Sequence, residues 1–293
     1  MGLFVVLSYA LTFSLFALWW VVLKKRSKKL PSPMASVAFN AVMTSSVLMP
    51  LLSLCLLSLI HSQLGAFTEF VFTWLKIDLK SLVMLLLAPI PPIVALVVYV
   101  EAMRAMDMVK VDVLQRITGL ESFASVKALK VLGAGYAAGV TVNTLIALGE
   151  ELGWRAYLMS SLTKHVGVLG AVIAVGTVWG LWHVPVILSA KPLLERHFPW
   201  MSLKLVLLNN VVSCIILSYP LYLLLISSGS VLPPAAFHGT INALWQIPQF
   251  VTRVSGERKY RDFAKITFTS ILAWSVVIAV TLGIGKSCSS LIP

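Results

Sequence analysis

Apolar residues run in long blocks along this chain of 293 residues, and polar ones gather in short breaks between them. The blocks fall at roughly 2–23, 36–60, 81–103, 131–158, 167–190, 203–226, 230–250 and 264–285. A helix needs ~20 predominantly apolar residues to cross the hydrocarbon core, and these blocks meet or approach that length. Unpaired backbone groups are costly in lipid, so apolar blocks of this kind fold as helices that satisfy their own hydrogen bonds. The pattern therefore predicts an all-α, polytopic membrane helix bundle with about eight transmembrane helices. Pro89, Pro91 and Pro92 predict a kink or break near the middle of the third. Residues 104–130 mix charge with the spaced apolar residues Val109, Val113, Ile117 and Leu120, as expected of an amphipathic helix at the membrane interface. In the fourth block Gly135 and Gly139 sit one turn apart, a spacing that lets another helix approach closely.

Composition strengthens the membrane assignment. The chain is 59% hydrophobic and 12% charged, with a mean hydropathy of +0.93. The net charge of +12 would point to nucleic acid in a soluble protein. Here the basic residues cluster between apolar blocks, with no basic face interleaved with aromatics, so no nucleic-acid partner is expected. They read instead as loop charges that set orientation and meet anionic membrane lipid. With eight spans and the N-terminus outside, eighteen of the 23 Lys and Arg fall on the inside, in the stretches 24–29, 104–130, 191–204 and 253–265. No basic region precedes the first apolar block, and Lys24 to Lys29 follow it. That order fits an uncleaved first membrane helix. The expected location is a membrane, crossed several times, with the cell membrane as the expected compartment. Cys55, Cys214 and Cys288 are far apart and outside any Cys-x-x-Cys pattern, so a disulfide framework is not expected.

Against this apolar background a few polar groups stand out. Gly149-Glu150-Glu151-Leu152-Gly153-Trp154-Arg155 puts two adjacent carboxylates in sequence apolar enough for a bilayer. An acidic residue at the centre of a membrane helix costs about 2.5–3.5 kcal/mol on insertion scales, so something must offset the charge or use it. Glu151 and Arg155 share a helical face four residues apart and are expected to pair. Glu150 points about 100° away and has no local partner. Further on, Trp179 lies one turn before His183, and His238 one turn before Asn242. Taken singly, His183 reads as an interhelical hydrogen-bonding residue, His238 with Asn242 as polar glue between helices, and Glu151 with Arg155 as a structural ion pair. Taken together, these readings leave several polar groups in hydrocarbon with no use. Glu150 is the hardest of them to explain as structure.

In order along the chain, Glu150-Glu151-x-x-x-Arg155, Trp179-x-x-x-His183 and His238-x-x-x-Asn242 resemble the three motifs of the CPBP intramembrane proteases. That family includes the type 2 CAAX prenyl endopeptidases and the bacteriocin-processing proteins. The resemblance covers about residues 131–250; Trp179 departs from it, since the family more often has Phe there. It implies a membrane endopeptidase acting on a membrane-associated peptide or prenylated protein. Glu150 would activate a water, His183 would orient and polarise it, and His238 with Asn242 would form the oxyanion hole. Glu151 with Arg155 would hold the helix so that Glu150 aims correctly. No cofactor is implied. A competing arrangement makes Glu150, His183 and His238 the ligands of a catalytic Zn site with water in the fourth position, although no His-Glu-x-x-His is present.

Two readings from other classes stand beside the protease. In a proton- or cation-coupled transporter Glu150 would be the ion site and the Pro-rich span a broken helix, but no inverted repeat is visible. A non-catalytic scaffold or immunity protein would not need every motif residue. The chain divides by motif content into membrane helices and an interfacial segment (1–130), the motif-bearing helices (131–250), and a basic loop with a last helix (251–293).

Overall fold

A computed structural model describes residues 1–23, 32–197, 202–254 and 259–291. The basic run Lys24 to Lys29 and Arg258 lie outside the described residues. Within them every regular element is helical, and the one extended contact is a single bridge between Val109 and Thr252. The all-α class holds.

The chain packs as two compact units, each made of two separate stretches. The first unit takes residues 1–76 and 146–219, the second 77–145 and 220–293. The motif region expected at 131–250 is thus shared between them. In chain order the elements begin with α1 (Gly2–Leu18), which runs into a short π-helical turn (Trp19–Leu23), followed by α2 (Ser32–Ser46), α3 (Met49–Ile60) and α4 (Leu64–Trp74). Next come α5 (Leu79–Leu87), α6 (Ile90–Ala105), α7 (Val111–Thr118) and α8 (Ala128–Val140). The chain continues with α9 (Val142–Glu151), a π-helical segment (Leu152–Met159), α10 (Ser160–Trp182), α11 (Val184–His197) and α12 (Leu203–Ser228). It closes with α13 (Leu232–Leu244), α14 (Gln246–Val251) and α15 (Lys259–Leu291).

Among the described residues five helical stretches are long and apolar enough to cross a membrane: Gly2–Val21, Leu79–Ala105, Val142–Lys191, Leu203–Ser228 and Arg261–Cys288. A sixth arises if Phe39–Ser46 and Met49–Ile60, bent by 50°, form one broken span. The protein is a multi-pass membrane protein, and the five or six candidate spans among the described residues do not confirm the expected count of about eight. The proline-rich block breaks as expected, at Ala88 and Pro89, and still runs through as one candidate span. Two other blocks are interrupted. The block at 131–158 breaks at Thr141 (φ −120°, ψ −103°), leaving α8 too short to span. The hydroxyls of Thr141 and Thr144 donate to the carbonyls of Ala137 and Gly139 and so serve backbone acceptors around the break. The block at 230–250 stops at Trp245 and restarts as α14 with Pro248 in its first turn, where a missing N–H is tolerated. An orientation built on eight alternating spans does not follow from these helices.

The stretch Val142–Lys191 is itself fifty residues long, or about 75 Å of helix at 1.5 Å per residue, more than twice the core thickness. It breaks at Gly167 (φ 70°, ψ 174°), a conformation close to glycine-only. Residues 150–155 then lie alongside 179–182: the rings of Trp154 and Trp182 meet edge to face with centroids 5.9 Å apart. This helical hairpin is the scaffold of the first unit.

Close backbone approach locks both units. In the first, Gly176 and Gly180 of α10 face Ile215 and Val211 of α12 so tightly that a Cβ on Gly180 would sit 2.6 Å from the Val211 Cα. Asn210 Nδ2 also donates to the Gly180 carbonyl over 2.8 Å. Gly180→Ala should therefore push backbone against backbone and lower stability by about 1–3 kcal/mol. The check is the melting temperature in detergent; a melt equal to wild type would show that α10 and α12 part at no cost. In the second unit the expected approach at Gly135 and Gly139 is made by α13, through Leu244 and Thr240. The amphipathic helix expected within 104–130 forms as α7, ended by Gly119 at φ 73°. It buries Leu114 and exposes Ile117. The turn after it is pinned by Glu101, which accepts from Ser122 Oγ at 2.9 Å and the Phe123 N–H at 2.6 Å.

Candidate functional site

Glu150 and Glu151 end α9, where the helix loosens into the π-helical segment Leu152–Met159. Such segments make i→i+5 hydrogen bonds, so residues five apart come closer to one face than an α-helix allows. The segment is seated against the start of α3: a Cβ on Gly149 would meet the Val47 carbonyl oxygen at 2.6 Å, and one on Gly153 would meet Pro50 at 2.5 Å. Glycines on either side of the carboxylates therefore bring this helix hard against its neighbour.

The two glutamates have different partners, and spacing foretold only the pairing of Glu151 with Arg155. Glu151 Oε1 accepts from Arg155 Nη1 over 3.1 Å, and both side chains are fully buried. Glu150, 2% exposed, has a partner from across the hairpin: Trp179 Nε1–H donates to its Oε2 over 2.6 Å. The Arg155 guanidinium lies over the face of the same Trp179, 3.8 Å from the ring centroid. One indole thus touches both members of the acidic motif's machinery, its edge on Glu150 and its face on Arg155. Sequence spacing placed Trp179 only one turn before His183. A helix wheel does not show a contact made across a hairpin.

His183 caps the end of α10 and is half-buried. Its Nδ1 lies 2.9 Å from the Trp179 carbonyl oxygen. A carbonyl only accepts, so this contact assigns the proton of the neutral ring to Nδ1 and leaves Nε2 as the lone-pair nitrogen. The ring is wedged between indoles, with centroids 5.7 Å from Trp179 and 5.0 Å from Trp182. Trp182 in turn donates from Nε1 to Thr12 Oγ1 at 2.8 Å, and Tyr9 Oη donates to the Val178 carbonyl at 2.6 Å, so α1 braces this wall. Glu150, Glu151, Arg155, Trp179 and His183 are all brought together in the first unit.

His238 and Asn242 belong to α13 of the second unit. His238 is 5% exposed, whereas Asn242, one turn on, is exposed. One face of α13 therefore passes from core to surface over a single turn. The helix is fixed on both sides of His238. Gly239 presses on Asn143, whose Nδ2 donates to the Gly239 carbonyl over 3.0 Å, and Thr240 presses on Gly139. Asn143 and Asn210 are polar residues in apolar runs, a signal present in the sequence that pointed to these two clamps. Beside Asn242, Ala243 and Leu244 begin an open groove of about 640 Å³, walled by Val131, Gly135, Ile247 and Phe250 with Lys130 among its lining residues. Among the described residues no three His, Cys, Asp or Glu side chains gather at the spacing a metal ion requires.

The segment that contains the motif residues also matches a known family. The model of the Rce1-like type II CAAX prenyl endopeptidases fits residues 133–244. Through this segment the chain is similar to the CPBP family. The protein named CAAX prenyl protease 2 of Methanococcus maripaludis is 46% identical over 43 residues, a stretch covering 15% of this chain and 16% of that protein. The match takes in every motif residue singled out above, from Glu150 to Asn242, and leaves the whole stretch before α8 outside it.

Proposed function

We propose that this protein is a CPBP-type intramembrane endopeptidase that cleaves a membrane-associated substrate, a prenylated CAAX-type protein or peptide. The observation that carries the reading is the buried Glu150 carboxylate held by Trp179 on the same hairpin as a His183 whose Nε2 can accept. A bound water would give a proton to Glu150 while His183 Nε2 holds it in line. The resulting hydroxide adds to the scissile carbonyl carbon, and the carbonyl oxygen takes the negative charge. His238 and Asn242 act as donors to that oxygen, as in other acyl-transfer sites. The proton then passes from Glu150 to the departing nitrogen, the C–N bond breaks, and a carboxylate and an amine leave. Glu151 and Arg155 position the helix and touch no substrate.

A lipid-modified substrate is supported by the groove beside Asn242, whose size falls in the range of small-molecule pockets and whose lining is mainly apolar. The exposure of Asn242 supports access from outside the core. The reading is tested by incubating the purified protein with a farnesylated CAAX peptide library and following cleavage by mass spectrometry. Removal of a C-terminal tripeptide is expected, and an intact library would count against the assignment. The proposed chemistry uses only side chains, so cleavage should persist after exhaustive treatment with a tight Zn chelator. Loss of activity with stoichiometric metal release, regained on adding Zn, would replace it with the arrangement in which Glu150, His183 and His238 are ligands.

A further inference from the structure

We propose that Trp179 is a positioning residue for Glu150, and that Arg155, and through it Glu151, acts on the base by way of the Trp179 ring. This inference rests on the protease reading for its consequence in catalysis, though not for the interaction itself.

Three features lead there. First, an indole N–H only donates, so its 2.6 Å contact fixes Glu150 Oε2 as an acceptor and leaves proton uptake to Oε1. A carboxylate has two nearly equivalent oxygens and a freely turning end. A donor held by a buried ring, 3% exposed, removes that freedom. Secondly, the base of the proposed reaction must be a carboxylate before it takes a proton, and an N–H hydrogen bond to a carboxylate is charge-assisted, stronger and more directional than a neutral bond. Thirdly, the guanidinium stacked on the ring face draws on the π electrons, and Trp is the aromatic that answers a cation most strongly. Withdrawal of density from the ring makes its N–H a better donor. Arg155 is itself held by Glu151, so the second glutamate reaches the first through Arg155 and Trp179 as well as through the helix they share. The Trp179 carbonyl also receives His183 Nδ1, so the same residue sets both the base and the imidazole proposed to orient its water. Ring edge, ring face and backbone carbonyl of one residue hold three of the motif residues.

Two measurements test this. In protein labelled with 15N-tryptophan, the Trp179 indole resonance is assigned by its loss in Trp179→Phe. If that variant does not fold, the assignment uses 3-benzothienylalanine at position 179, which has the shape of Trp and no N–H. The Trp179 proton is expected among the most downfield of the nine indoles, and to move upfield in Glu150→Gln, where the acceptor is neutral. An indole signal indifferent to Glu150→Gln would overturn the proposal. In the cleavage assay, loss of the N–H alone should lower kcat about 10- to 100-fold, the scale of a misplaced reacting group, with KM and melting temperature little changed. A wild-type kcat in the benzothienylalanine protein would equally overturn it, as would a KM rise with kcat intact. If the wild-type protein cleaves nothing in the library, the functional reading falls, and the indole shift alone decides whether Trp179 holds Glu150.

Discussion

Glu150→Gln is expected to abolish peptide cleavage while leaving the protein folded. The substitution keeps the shape of the side chain and an oxygen able to accept from Trp179 Nε1, so the hairpin contact survives in weaker form. What disappears is the capacity to take a proton from water. General acid–base assistance is worth roughly 10²–10⁴-fold, enough to put the variant below detection in an ordinary assay. Stability should hold, because a neutral amide costs less to bury than a carboxylate at a position 2% exposed. His238→Ala and Asn242→Ala should match it in kind, inactive with an unchanged melt, if they supply the oxyanion donors. The paired readouts are cleavage rate and melting temperature in detergent. A wild-type rate in Glu150→Gln would remove the carboxylate from the mechanism and favour the ion-site transporter instead.

The hydrophobic blocks were enough to identify an all-α membrane protein, because backbone satisfaction in lipid leaves few other choices. They were less informative about where helices stop. Thr141 and Trp245 interrupt apolar runs through local hydroxyl and proline chemistry that hydropathy does not weigh. The run Val142–Lys191 is divided by Gly167, whose positive φ reflects the tight reversal rather than any change in polarity. Spacing correctly paired Glu151 with Arg155 and set Glu150 apart, since both follow from positions on one helix. The partner of Glu150 was hidden because Trp179 lies 29 residues away and meets it only after the hairpin closes. The Gly176 and Gly180 clamp, by contrast, was written in the sequence at the same spacing as Gly135 and Gly139.

Glu151→Gln should do the opposite of Glu150→Gln, harming the fold first. Arg155 is fully buried, and its bond to Glu151 at 3.1 Å is its ion pair among the described residues. Its Nε and Nη2 make no hydrogen bond to any described group, so the guanidinium is hydrogen-bonded by one carboxylate and stacked on the Trp179 face, with Glu150 as a second, non-bonded negative charge nearby. Removing one partner of a buried pair typically costs about 3–5 kcal/mol, because the remaining charge stays in a medium that solvates it poorly. A marked fall in melting temperature and in yield is expected, with activity lost as Trp179 and Glu150 shift. Removing both charges is a different perturbation, and replacement of buried pairs by apolar residues is often neutral or stabilising. Glu151→Gln combined with Arg155→Met should therefore melt above Glu151→Gln alone, while remaining poorly active because the cation over Trp179 is gone. If Glu151→Gln melts like the wild type, or the double variant melts below the single one, the buried pair is not what holds this helix in place. The carboxylate of Glu151 would then need a role nearer the reaction itself.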